Sequence, residues 1–209
     1  MNLSDFSRHY NCTDIEKSRY SEFAEVGEVA LNRSVQMQSL INQYAAATFD
    51  HGLFRIHNQG SFYRWMKLAF EYFKKFDGFA LVFGFDWMGR QFALNEPENS
   101  NVILMLDPAT AEAFELEASL EEFFNTDLVE GKEDFLEATK FQTINKRAKT
   151  DLPFDHCVVF IKPLFLGGKD EILNLEDSDM EVYWELNRQI YFKTKNLPPG
   201  TSVNLSIDP

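Results

Sequence analysis

The segment SFYRWMKLAFEYFKKF, residues 61–76, constrains this chain most. Phe62, Trp65, Met66, Ala69, Phe70 and Phe73 recur at i, i+3, i+4, i+7, i+8 and i+11, which places them on one stripe of a helix. So aromatic a stripe requires an apolar surface to pack on, and the sequence supplies one immediately. Strand-like runs follow at Gly78 to Asp86, Arg90 to Asn95, Val102 to Asp107 and Ala113 to Glu117. They are joined by the turn Trp87-Met88-Gly89 and by short polar links, the pattern of an antiparallel meander.

The remaining segments read as covering elements. Asp14 to Val26 is weakly helical, and Ser34 can cap a helix running to Ala46. LFRIH, 53–57, alternates Phe54 and Ile56 with Leu53, Arg55 and His57, which suits a half-buried strand. Ser119-Leu120-Glu121-Glu122 is a capping box, and a further helix is expected over Lys132 to Arg147. Cys157 to Ile161 is a β-rich apolar run. Pro163 then suits a strand end or edge, the apolar run resumes at Leu164 to Leu166, and Gly167-Gly168 suits a tight turn. An acidic loop leads to Asp179, a plausible N-cap for a last helix through Ile190, although the alternation of Met180, Val182, Trp184 and Leu186 also fits a strand. The predicted class is α+β: an antiparallel meander sheet with helices packed on one side, in a single domain over 1–209.

Composition narrows function. Hydrophobic residues make up 44% of the chain, enough to bury a core. Cys12 and Cys157 lie far apart and argue for a reducing compartment rather than a disulfide scaffold. The start, MNLSDFSRHYNC, lacks a basic region followed by an apolar one, and no apolar run reaches spanning length, so a cytoplasmic protein with no membrane partner is expected. The net charge of -13 repels nucleic-acid phosphate and attracts basic partners.

The common catalytic and metal signatures are absent, and no cofactor or metal is expected. Asp155-His156-Cys157 offers an orienter, a base and a nucleophile by residue type. Strand neighbours point to opposite faces, however, so His156 cannot reach the Cys157 sulfur. Asp177 and Asp179 alternate as calcium ligands do, but the twelve-residue loop pattern is missing. Two stretches remain as candidate interfaces. Asp86, Trp87 and Arg90 sit at a predicted hairpin tip and are residue types enriched in protein interfaces; the structural alternative folds Trp87 over the sheet edge with Arg90 satisfying Asp86. Asp170, Glu171, Glu176, Asp177, Asp179 and Glu181 form an acidic stretch suited to a protein contact. A ligand-binding or hydrolase pocket near Asp86, Arg90 and His57 is the competing expectation.

GLFRIH at 52–57, FDWMGRQFAL at 85–94, SLEEFF at 119–124 and PLFLGGKDEILNLEDSDMEVYW at 163–184 together resemble a bacterial family of type VI secretion immunity proteins. In that family a C-terminal immunity domain usually follows a GAD-like N-terminal region, and the family is similar to the wider SUKH group of Smi-type immunity proteins. The likeness runs from about Leu40 to Gly200. It implies a SUKH-like fold, with a possible sub-boundary near residue 118 between a GAD-like part (1–118) and an immunity part (119–209). It also implies a non-enzymatic cytoplasmic protein that neutralises a cognate toxin, a DNase effector in the best-known members. Acidity agrees with this expectation, since an acidic inhibitor competes for the basic surface a nuclease offers its substrate. A SUKH-type regulatory adaptor is a third expectation.

Overall fold

A computed structural model describes residues 1–16, 31–95, 101–148, 151–198 and 200–201. Seven strands form one sheet in the order of the chain, each antiparallel to the next: β1 (Cys12–Ile15), β2 (Ala47–Phe49), β3 (Phe54–Ile56), β4 (Ala80–Asp86), β5 (Gln91–Asn95), β6 (Val102–Asp107) and β7 (Glu112–Glu117). The predicted α+β class and meander are therefore present. Two strands are additional. Cys12 to Ile15 replaces the start of the helix expected from Asp14, whose remainder falls at residues 17–26, outside the described residues.

The helices do not lie on one side. Along β4, Leu81 and Phe83 face one core while Ala80, Val82 and Phe85 face another; Phe92 and Leu94 oppose Ala93 on β5 in the same way. Both sets are apolar, so the sheet is buried on both faces, and the one-sided arrangement is corrected. The first core stacks Phe6 of α1 (Ser4–His9) and Leu40 of α2 (Val35–Tyr44) with Phe54, Phe123 and Phe124. Phe62 at the start of the predicted stripe joins this first core, while the second holds Trp65, Ala69, Phe70 and Phe73 of that stripe, at α3 (Gln59–Tyr72) and its C-terminal end, against α8 (Met180–Thr194). There Trp65 and Trp184 meet edge to face at 5.7 Å between centroids. Each core combines residues from both sides of position 118.

Local capping follows the sequence closely. Ser34 accepts from the Met37 amide, Ser119 and Glu122 form a reciprocal box, and Asp179 accepts from the Val182 amide. The aromatic helix begins two residues before Ser61, because Asn58 is its cap and the Ser61 hydroxyl reaches back to the Asn58 amide. After Ser119 the chain runs through α4 (Leu120–Glu122), a π turn (Phe123–Asp127) and α5 (Leu128–Glu130). The helix expected over Lys132 to Arg147 is broken into α6 (Lys132–Leu136) and α7 (Ala138–Ala148) by Glu137, at φ 48°.

A second sheet pairs β8 (His156–Phe160) with β9 (Leu175–Asp179). The apolar run after Pro163 forms a single 3-10 turn, Leu164–Leu166, rather than resuming the strand. Gly168 belongs where it is because a Cβ there would lie 1.9 Å from the Lys162 carbonyl oxygen. The acidic segment expected to be a loop thus supplies β9, and its Asp179 then caps α8, so the strand alternative for 180–186 does not occur.

Candidate functional site

The hairpin tip points inward. Asp86 and Trp87 are fully buried and Arg90 is 8% exposed, which removes all three as surface contacts and corrects that expectation. Their work is internal and follows from the break at Glu137. A helix ending at Leu136 leaves carbonyls without intrahelical donors. The Trp87 indole Nε1 donates to the Leu136 carbonyl at 2.6 Å, and Arg90 Nη2 donates to that of Phe135 at 2.7 Å. Arg90 Nε also donates to Asp86 Oδ2 at 2.6 Å, while Asp86 Oδ1 accepts from the amides of Met88 and Arg90. Burial pushes the Asp86 carboxyl above its ordinary range, and Arg90 and those amides pull it back. Gly89, at φ 74°, closes the turn against Cys157, whose sulfur would lie 2.9 Å from a Cβ at that position.

The competing pocket near Asp86, Arg90 and His57 gains no exposed side chain. His57 is fully buried between the Ser61 hydroxyl at 3.1 Å and the Gln91 amide oxygen at 2.9 Å. Burial pulls its pKa down to about 3, so the ring is neutral at physiological pH. Cys157 is buried and its thiol is pushed well up by burial, while His156 on the opposite face pairs Nδ1 with Asp177 Oδ1 at 3.0 Å. The strand-geometry argument against that pair holds. Among the described residues no group of three or more His, Cys, Asp or Glu side chains is placed to hold a metal ion. No helix among them is long and apolar enough to cross a membrane.

The acidic candidates divide. Asp179 is the α8 cap, Glu181 pairs with Arg64 at 2.8 Å, and Asp170 pairs with Lys140, which also reaches Glu137 at 2.8 Å. These three carboxylates are engaged within the chain. Glu171 is exposed beside Lys169 at 3.6 Å. Glu176 and Asp177 are exposed and stand at the rim of a groove of about 370 Å³ between α7 and β9. Its floor is apolar: Phe141, Ile144, Leu152, Val158, Ile172 and Leu175. Three carboxylates, Asp151, Glu176 and Asp177, line it, and among the described residues no lysine or arginine does. Nearby Leu173 is 91% exposed.

Sequence reasoning reached Glu176 and Asp177 but not the groove. Its floor comes from four separated segments, and only the exposed run Ile172-Leu173 between acidic residues signals it locally. The surface is chemically suited to binding a complementary apolar and basic surface, since it offers both area to desolvate and three carboxylates, of which Asp151 and Asp177 are paired with the rings of His51 and His156 at 3.0 Å each.

No protein-family model and no curated protein sequence matches the chain. Among solved structures the fold is similar to the crystal structure of Atu4351 from Agrobacterium tumefaciens. That likeness has a TM-score of 0.61 at 14% identity, over 90% of this chain and 89% of the other. At that identity it speaks to the fold alone.

Proposed function

We propose that this chain is an immunity protein of the type VI secretion kind, which binds a basic protein toxin, such as a nuclease, and blocks its substrate surface. One observation carries the reading: the apolar groove beside β9 is lined by three carboxylates and, among the described residues, by no lysine or arginine. In a chain of net charge -13, that face concentrates negative potential over a surface that gains by being covered. The sequence resemblance points to the same role. Binding rather than catalysis is also favoured by the use of Asp86, Arg90, His57 and Cys157 inside the fold.

The test is co-expression with the toxin encoded next to this chain's gene. A 1:1 complex and restored growth are expected, with association slowing about tenfold or more between low and high salt, as electrostatic steering requires. Glu176→Lys with Asp177→Lys should slow association further. Absence of both binding and rescue would overturn the proposal. A salt-independent association rate would overturn the acidic docking face.

A further inference from the structure

The backbone of β9 carries a second kind of information. In the β8–β9 ladder the Ile161 amide donates to the Asn174 carbonyl and the Met180 amide to the Asp155 carbonyl, both at 2.9 Å. These contacts share the register that aligns Cys157 with Ser178 and Val159 with Glu176. Ser178 and Glu176 therefore turn their amides and carbonyls toward β8, whereas those of Leu175 and Asp177 point away from it. The far edge of β8 is occupied, since the Val158 amide donates to the Trp87 carbonyl at 2.8 Å. Among the described residues no strand pairs with the outer edge of β9.

We infer that the outer edge of β9 takes up an extended, lysine- or arginine-bearing segment of the partner protein as a third strand, with an apolar side chain of that segment seated in the adjacent groove. The inference rests on the reading of this face as the docking surface, and it names the partner's conformation and chemistry there. Strand addition would satisfy the outward Leu175 and Asp177 backbone groups, and side-chain alternation along the added strand would send one set toward Leu175 and Val158 and the other past Glu176. A second copy of this chain is the wrong occupant. Two β9 edges side by side would bring Glu176 and Asp177 of each against carboxylates of the other, and like charges across a strand pair repel. The acidic edge thus rejects its own kind and favours a basic strand.

The experiment uses the full chain and a capped heptapeptide, Lys-Val-Lys-Val-Lys-Val-Lys. Its control has the same sequence with alternate D-residues, equal in charge but unable, when extended, to send its lysine and valine side chains to opposite faces. The all-L peptide should bind, and amide hydrogen exchange at Leu175 and Asp177 should slow about tenfold or more. Asp177→Ala should retain most of that binding. Asp177→Pro removes an outward amide that the β8 ladder does not use, so it should abolish binding while the Val159 amide stays protected. Equal binding of the two peptides, unchanged exchange at Leu175 and Asp177, equal binding by the Pro and Ala variants, or no binding at all would each overturn the inference. If Asp177→Pro loosens the ribbon itself, exchange in the unmodified chain decides. Toxin neutralisation by Asp177→Pro with Val159 still protected would sink this inference and leave the proposed function standing. Peptide capture without any toxin binding would do the reverse.

Discussion

Replacing Arg55 tests how the two sheets are joined. Arg55 lies on β3, is fully buried, and reaches the polypeptide that leads into β8. Its Nη1 donates to the carbonyls of Pro153 at 2.8 Å, Phe154 at 3.0 Å and His156 at 2.8 Å, and Nη2 to that of Gly52 at 3.2 Å. The guanidinium also sits 4.7 Å from the centre of the Phe85 ring. Burial lowers its pKa to about 10, which leaves it charged at neutral pH. Arg55→Met keeps the length of the stem and removes every donor. Pro153 still accepts from the His156 amide, so the main loss falls on Gly52, Phe154 and His156. Three carbonyls stripped of this donor cost about 1–3 kcal/mol each, the longer bond to Gly52 at the low end, and the lost ring contact about 1 kcal/mol. Relief of the guanidinium's own desolvation offsets part of this, for a net loss of about 3 kcal/mol. In a chain of this size that corresponds to a fall in Tm of about 6–12 °C. Thermal melts give the total. Hydrogen exchange shows where it falls, with β8 and β9 amides losing protection before those of β4 and β5. A Tm within about 2 °C of the parent, with β8 protection intact, would refute the assignment of Arg55 as the pin between the sheets.

Other perturbations follow from buried groups. His57 has a folded pKa of about 3 against an ordinary 6.5, so between those values the unfolded chain binds a proton that the folded chain refuses. Stability should fall as pH drops from about 6.5, by up to about 1.4 kcal/mol per unit from this residue. Urea midpoints at pH 7 and pH 5 should therefore fall less steeply in His57→Gln; an equally steep fall would exonerate His57. Trp87→Phe strips the Leu136 carbonyl of its donor and shrinks a filled core site, for a loss of about 2–3 kcal/mol by denaturation. Its affinity for the partner proposed above should be unchanged, because Trp87 has no exposed surface to offer. In thiol titration of the native protein Cys12 should react quickly and Cys157 only on unfolding. Fast reaction of both would reopen the question of a nucleophilic Cys157.

Local signals accounted for much of the architecture. Residue spacing alone determined the aromatic helix, four strands of the meander, the caps at Ser34, Ser119 and Asp179, and the turn at Gly167, because each rests on neighbours within a few positions. Composition and charge marked the acidic stretch that contains Glu176 and Asp177. What only the tertiary structure decided depends on distant partners. LEDSD has poor strand propensity and became β9 because β8 pairs with it. The alternation at Arg55 and His57 predicts a half-exposed strand, yet both side chains are buried: carbonyls of residues 52, 153, 154 and 156 accept from the two Nη groups of Arg55, whose Nε is left without a partner among the described residues, and Ser61 with Gln91 satisfies His57. Trp87 and Arg90 turned inward because a helix some 45 residues later ends with open carbonyls. The groove itself joins α7, Leu152, β8 and β9. Periodicity can say that a side chain needs a partner, but which partner it finds is settled only when segments far apart in sequence meet.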